Sequence, residues 1–164
     1  MAAAFSLRPA VPADGPFLAE MVVEAANWHA ARARPKVSVL SDPAHVHYVS
    51  GWMRPGDVGV VAEDDEGEAI GAAWYRIFTK DDAAHGYVAT GVPELIIGVR
   101  PLWRGMGVGR ALMRELVRLA GASGYARLAL SVERGNFAES LYRSEGFRVA
   151  EERPTRVTMI RRLA

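Results

Sequence analysis

The sequence predicts a single α/β domain built on a mixed sheet, and three observations predict it. Strand-like and helix-like segments interleave along the whole chain. An early pair of strands closes around the acidic turn "DDEG", so the sheet contains an antiparallel hairpin and is not wholly parallel. With 164 residues, 50% hydrophobic and 24% charged, the chain suits one compact domain with a full core. No repeat, low-complexity tract or second domain is visible, so residues 1–164 are read as one unit.

Each element has its own signal. "FSLRPA" reads as a short strand closed by Pro9. Asp14 stands as N-cap of a helix to about Ala26, with Phe17, Leu18, Met21, Val22 and Ala25 at helical spacing. Asn27 to Leu40 shows no period. Asp42, with Pro43 at the first helical position, opens a second helix to about Arg54, ended by "PGD". The hairpin follows, then the polar loop "TKDDAAHGYVATGVP", then the apolar strand "ELIIGV" from Glu94 to Val99. A helix from about Gly107 carries Val108, Ala111, Leu112, Leu116 and Leu119 on one face and ends at "GASG". "ARLALSV" is a buried strand. "NFAESLYRSEG" is a short helix with Asn136 as cap, Glu139 in capping-box position and Gly146 past its end. Phe147–Val149 and "RVTMIRRL" supply closing strands.

Composition removes several function classes. The chain has no cysteine, which excludes disulfides, thiolate metal sites and a cysteine nucleophile, and fits a reducing cytosol. A formal charge of +1 argues against a dedicated nucleic-acid binder. The opening "MAAAFSLRPAVPAD" lacks the pattern of a signal peptide, and no stretch approaches the roughly 18 apolar residues of a membrane helix. The expectation is a cytoplasmic protein without nucleic-acid or membrane partners and without a metal.

The segment "VRPLWRGMGVGRALM" carries the chemistry. Glycine costs about 1 kcal/mol relative to alanine inside a helix, yet Gly105, Gly107 and Gly109 crowd one helix start, flanked by Arg104 and Arg110. A strand turning through glycines into a helix presents unpaired amides at the positive end of the helix dipole, with no side chains in the way. That is an anion site, and a phosphate suits it. A glycine-rich turn with solvated arginines is the plain alternative. The strand before and the amphipathic helix after favour the anion. A nucleotide-triphosphate loop needs Lys-Ser/Thr after its last glycine, and "RA" stands there. A dinucleotide fingerprint needs G-x-G-x-x-G near the start of its domain; Arg110 occupies the third position and the segment comes late.

With these residues the segment resembles the acetyl-CoA-binding signature of the GNAT superfamily of N-acetyltransferases, Arg/Gln-x-x-Gly-x-Gly/Ala, here Arg104, Gly107 and Gly109. "NFAESLYRSEGF" resembles the family's second signature, N-x-x-A-x-x-x-Y-x-x-x-G-F, through Asn136, Tyr142, Gly146 and Phe147, with the alanine one place early at Ala138. The order of elements matches over nearly the whole chain. The resemblance implies a mixed, mostly antiparallel twisted sheet of six to seven strands flanked by about four helices.

It also implies roles. The pyrophosphate of acetyl-CoA would lie on the loop Arg104, Gly105, Met106, Gly107, Val108, Gly109 and Arg110. The pantetheine arm would run beside the strand, bonded to the backbone of Ile97 and Val99, with Gly98 at a bulge that opens the sheet and Asn136 touching the arm. Tyr142 would return a proton to the leaving thiolate, and Glu94 would take one from the amine, with Glu133 as the other carboxylate in reach. The amide of Ile97 or a neighbour would meet the oxyanion. Without cysteine, an acetyl-cysteine intermediate is excluded, in line with direct transfer in a ternary complex.

Trp28, His29, Trp52, Tyr75, Phe78 and Tyr87 are the aromatic candidates for the acceptor pocket beside Glu94, each with core packing as its other reading. His29, His45, His47 and His85 could titrate usefully, with a surface histidine as the plainer reading of each, and Asp81 and Asp82 read as a solvated acidic loop or a cation lure. The resemblance implies a small-molecule or protein amine as acceptor, and a homodimer stays open. Two rival functions remain: transfer of another acyl group, and a CoA-binding module without catalysis.

Overall fold

The protein is described by a computed structural model, whose described residues are 4–163. Seven strands form one sheet in the order β1-β2-β3-β4-β5-β7-β6. They are β1 (Phe5–Pro9), β2 (Val58–Asp64), β3 (Ala69–Arg76), β4 (Glu94–Val99), β5 (Arg127–Glu133), β6 (Arg148–Glu152) and β7 (Arg156–Arg162). The hairpin β2–β3 turns at Asp64–Gly67, where the Asp64 carboxylate accepts from the amides of Glu66 and Glu68. Every pairing is antiparallel except β4 with β5. Among the described residues five α-helices flank the sheet, one more than the sequence suggests: α1 (Gly15–Ala26), α2 (Lys36–Leu40), α3 (Pro43–Val46), α4 (Val108–Ala122) and α5 (Ala138–Ser144).

Strand alternation sorts the core into two layers. Val60, Ala62, Ala73, Tyr75 and Leu95 meet Val108, Leu112, Met113, Leu116 and Ala120 of α4, joined by Tyr142 and Phe147. On the other face Val61, Ala72 and Trp74 meet Leu18, Met21 and Val22 of α1, with Val39, Tyr48 and Phe78. The buried stripe of α4 therefore takes in Met113 and Ala120, where the sequence reading had Ala111 and Leu119, which are half-buried.

Local chemistry explains where the elements differ from expectation. Asp14 does not cap α1 with its side chain. Its carboxylate accepts from Val11 N at 2.7 Å and binds Arg8, closing the turn before the helix. Asp42 does cap, accepting from Ala44 N at 2.9 Å, but α3 runs only to Val46 and irregular turns follow. The segment without a period contains α2, whose single turn is too short to show one. Asn136 accepts from Ala138 N at 2.9 Å, whereas Glu139 bonds Arg143 one turn on and forms no capping box.

A buried ion pair ties the α3 segment to the sheet. Arg76 of β3 is 1% exposed and binds Asp57 through two bonds of 2.9 and 2.8 Å. It also donates to the carbonyls of His47 and Ser50, on either side of Tyr48. No helix among the described residues is long and apolar enough to cross a membrane.

Candidate active site

β4 and β5 pair only at Glu94 and Ala129 and separate beyond them. The edge of β4 that faces the gap follows from alternation. Arg100 N donates to Ile70 O toward β3, so Gly98 and Ile96 point the same way, while the amides of Leu95, Ile97 and Val99 point toward β5. The gap widens into a cleft of about 560 Å³ that passes through the sheet. Its α4 side is lined by the glycine loop, Asn136 and Tyr142; its α1 side by Trp28, His45, Tyr48, His85, Glu133 and Arg156.

The glycine loop has the form an anion site requires. Gly105 and Gly107 hold φ of 76° and 85°, a region that side chains disfavour. Ala111 is the first α4 residue with a carbonyl behind it, donating to Gly107 O at 3.1 Å, which leaves the amides of Val108, Gly109 and Arg110 without intrahelical partners. The two arginines are not waiting for an anion alone. Arg104 binds Glu24 of α1 at 3.2 Å, and Arg110 binds Glu145 at 2.9 Å and Ser144 at 3.0 Å. These carboxylates offset the charge that two cations would otherwise place against the helix dipole. Gly98 also departs from expectation: the β3–β4 register runs unbroken past it. A Cβ there would come within 2.6 Å of Met21 O, so the glycine admits α1 and makes no bulge. The opening of the sheet comes from the lost β4–β5 pairing.

Glu94 is 1% exposed and does not line the cleft. Its Oε2 accepts from the Tyr48 hydroxyl and, at 3.0 Å, from Gly86 N, while Oε1 has no partner among the described residues. Burial pushes its pKa up to about 7 against the pull of these two bonds. Tyr48 stands between Glu94 and the cleft, and burial, then the Glu94 charge, raises its hydroxyl well above the usual value. Tyr142 lies at the throat on the α5 side, 7% exposed, its hydroxyl raised by burial. Burial also lowers His45 and His85 below the ordinary imidazole value.

Of the aromatic acceptor candidates only Trp28 reaches the cleft, its indole donating to Glu133 at 3.3 Å. His29 is exposed and caps Ala31 N. Tyr75 lies on the α4 face, edge-on to Tyr125, because its register position turns it away from α1. Tyr87 bonds Thr90 within its loop, Trp52 donates to Val11 O beside Gly15, and Phe78 packs against His47 and Tyr48. Asp82 is held by His47 and Arg54. Sequence reasoning missed Tyr48 and Arg156 and read His45 and His85 as surface residues. Tyr48 sits in turns where the sequence predicts a continued helix to about Arg54, so its direction could not be read. Arg156 is one of several arginines near the chain end, and only its register opposite Glu133 marks it out.

Fold and site together place the protein among the acetyltransferases. It belongs to the acetyltransferase (GNAT) family, whose model matches residues 23–147. The chain is 32% identical over 97 residues to the mycothiol acetyltransferase of Beutenbergia cavernae, a match that covers 58% of this chain and only 30% of that protein. Its fold is similar to that of the PaiA N-acetyltransferase of Thermoplasma acidophilum in complex with coenzyme A, with a TM-score of 0.71 and 17% identity over 97% of this chain and 99% of that one. A GCN5-related N-acetyltransferase from Kribbella flavida is similar too, with a TM-score of 0.66 and 25% identity over 98% of each chain.

Proposed function

We propose that the protein transfers the acetyl group of acetyl-CoA to a primary amine directly, within a ternary complex. The observation that carries this reading is the one-sided opening of the sheet. Beyond Glu94 and Ala129 a strand edge with free amides at Ile97 and Val99 runs into a glycine loop with free amides at Val108, Gly109 and Arg110. Such an edge suits an extended pantetheine arm, and such a loop suits its pyrophosphate. Acetyl-CoA supplies the activated thioester. Arg104 and Arg110, already paired, add charge at the rim, and Asn136 lines the arm's path.

The chain's own residues handle the protons. Tyr142 keeps its hydroxyl proton at every working pH and holds it for the departing sulfur; the apolar surroundings that raise its pKa also raise the proton affinity of a thiolate beside it. On the amine side Tyr48 and Glu94 act as a pair. Tyr48 oxygen accepts the ammonium proton as its own proton passes to Glu94 Oε2. A carboxylate with a pKa of about 7 is half-ionised at neutral pH, as a base for this task should be. Trp28, Tyr48 and Glu133 wall the acceptor side.

Thiol release measured with a panel of amines tests the reading. Tyr142→Phe lowers turnover by about 10²-fold or more, the usual size of a general-acid contribution, with acetyl-CoA affinity unchanged. Binding of CoA without turnover of any amine identifies a CoA-binding module and overturns the proposal.

A further inference from the structure

The acceptor side of the cleft holds a cation that the transfer reaction does not use. Arg156, at the start of β7, shares a sheet face with Ser131 and Glu133 of β5, opposite Glu133 in register. Its Nε donates to Ser131 Oγ at 2.7 Å, which fixes the guanidinium plane. The remaining contacts are long: 3.5 Å from Nη2 to Ser131 O and 3.4 Å from Nη1 to Glu133.

The molecule contains a more tightly held arginine for comparison. Arg76 grips both oxygens of Asp57 at 2.9 and 2.8 Å and gives two further N–H groups to carbonyls, at 3.1 and 2.7 Å, so that four of its five donors are used. A charge-assisted bond of this kind spans about 2.7–2.9 Å, so Arg156 and Glu133 are not closed on each other. Glu133 is likewise held only loosely, at 3.3 Å, by the Trp28 indole. Arginine has five N–H donors. Three are accounted for, and two have no partner among the described residues. With His45 and His85 lowered by burial, Arg156 is the standing positive charge on this side. It lines the same cleft as Tyr48 and Tyr142.

We infer that the acceptor is an amine that also carries an oxyanion, a carboxylate in the first instance, seated on the two unpartnered N–H groups of Arg156. Glu133, 3.4 Å away, offers the matching negative charge for the ammonium of the same molecule. Trp28 and Tyr48 add apolar walls for a side group. The inference rests on the acetyl-transfer reading and narrows its substrate.

The test compares amines that differ only in the anion: L-phenylalanine against phenylalaninamide and phenethylamine, and L-leucine against leucinamide. Thiol release gives kcat/KM, corrected for the fraction of free amine. Calorimetric titration of the CoA-loaded protein gives affinity without any need for turnover. The acids are preferred by about 10- to 100-fold, the worth of a charged hydrogen bond or two. In Arg156→Gln that preference falls to a few-fold, and Arg156→Lys, which keeps the charge but loses the fork, falls between. The wild-type comparison stands even if neither variant folds. Equal or better use of the amides and of phenethylamine by the wild type overturns the inference while leaving acetyl transfer intact. Absence of turnover for every amine, with the acids still bound more tightly, instead counts against acetyl transfer and supports the Arg156 site.

Discussion

Glu94→Gln isolates one buried ionisation. In the folded chain the Glu94 carboxyl has its pKa pushed up to about 7 from an ordinary 4.5, burial being the main cause. Between those two values the folded state holds a proton that the unfolded chain has released, so stability falls as pH rises through this window. The penalty is absent below 4.5 and complete above about 7. At about 1.4 kcal/mol per pH unit the span amounts to about 3 kcal/mol. Glutamine has nearly the same shape, its one oxygen can accept both the Tyr48 and the Gly86 bonds that Oε2 takes, and it does not titrate. The variant therefore carries no pH penalty. Urea unfolding of both proteins at intervals from about pH 5 to about pH 8 yields the difference in ΔG, from which the other titrating groups largely cancel. Between those two pH values the difference shifts by about 2.5 kcal/mol in favour of Glu94→Gln, since part of the penalty is already present at about pH 5. Parallel pH profiles refute the raised pKa and, with it, Glu94 as a base poised at neutral pH. The same variant lowers turnover by about 10²-fold or more if the carboxylate is the base.

Two further perturbations test the supports of the site. Gly107→Val sets a β-branched residue at φ 85°, costing about 1–2 kcal/mol of stability, and places a side chain over the free amides of α4; CoA affinity measured by calorimetry falls by about tenfold or more, and unchanged affinity removes the loop as the pyrophosphate site. Asp57→Asn leaves the Arg76 charge buried without its counter-ion, which costs about 3–5 kcal/mol in a denaturant melt and loosens the His47–Ser50 segment that presents Tyr48; a loss under about 1 kcal/mol refutes the structural weight given to this pair.

Much of the side proposed for the cofactor was legible in the chain because it is built from consecutive residues. Glu94–Val99 matches the observed strand residue for residue, and the glycines, α4 and Asn136–Phe147 lie where their local patterns put them. Hydrophobic period, cap chemistry and glycine spacing are local properties, and the amide site is made by backbone in one short segment. The side proposed for the acceptor was not legible in the same way. It assembles Trp28, Tyr48, Glu133 and Arg156 from four separate segments, and strand register alone decides which face each side chain takes. Register turned Tyr75 into the α4 core and Arg156 into the cleft. Burial, which no linear pattern states, set the pKa of Glu94 and put Tyr48 between it and the cleft. The sequence by itself determined the fold class, the family resemblance and the glycine loop proposed for the anion, since each rests on neighbours along the chain. The tertiary structure alone decided the proposed proton path and the charge proposed to meet the acceptor, since both depend on contacts between residues tens of positions apart.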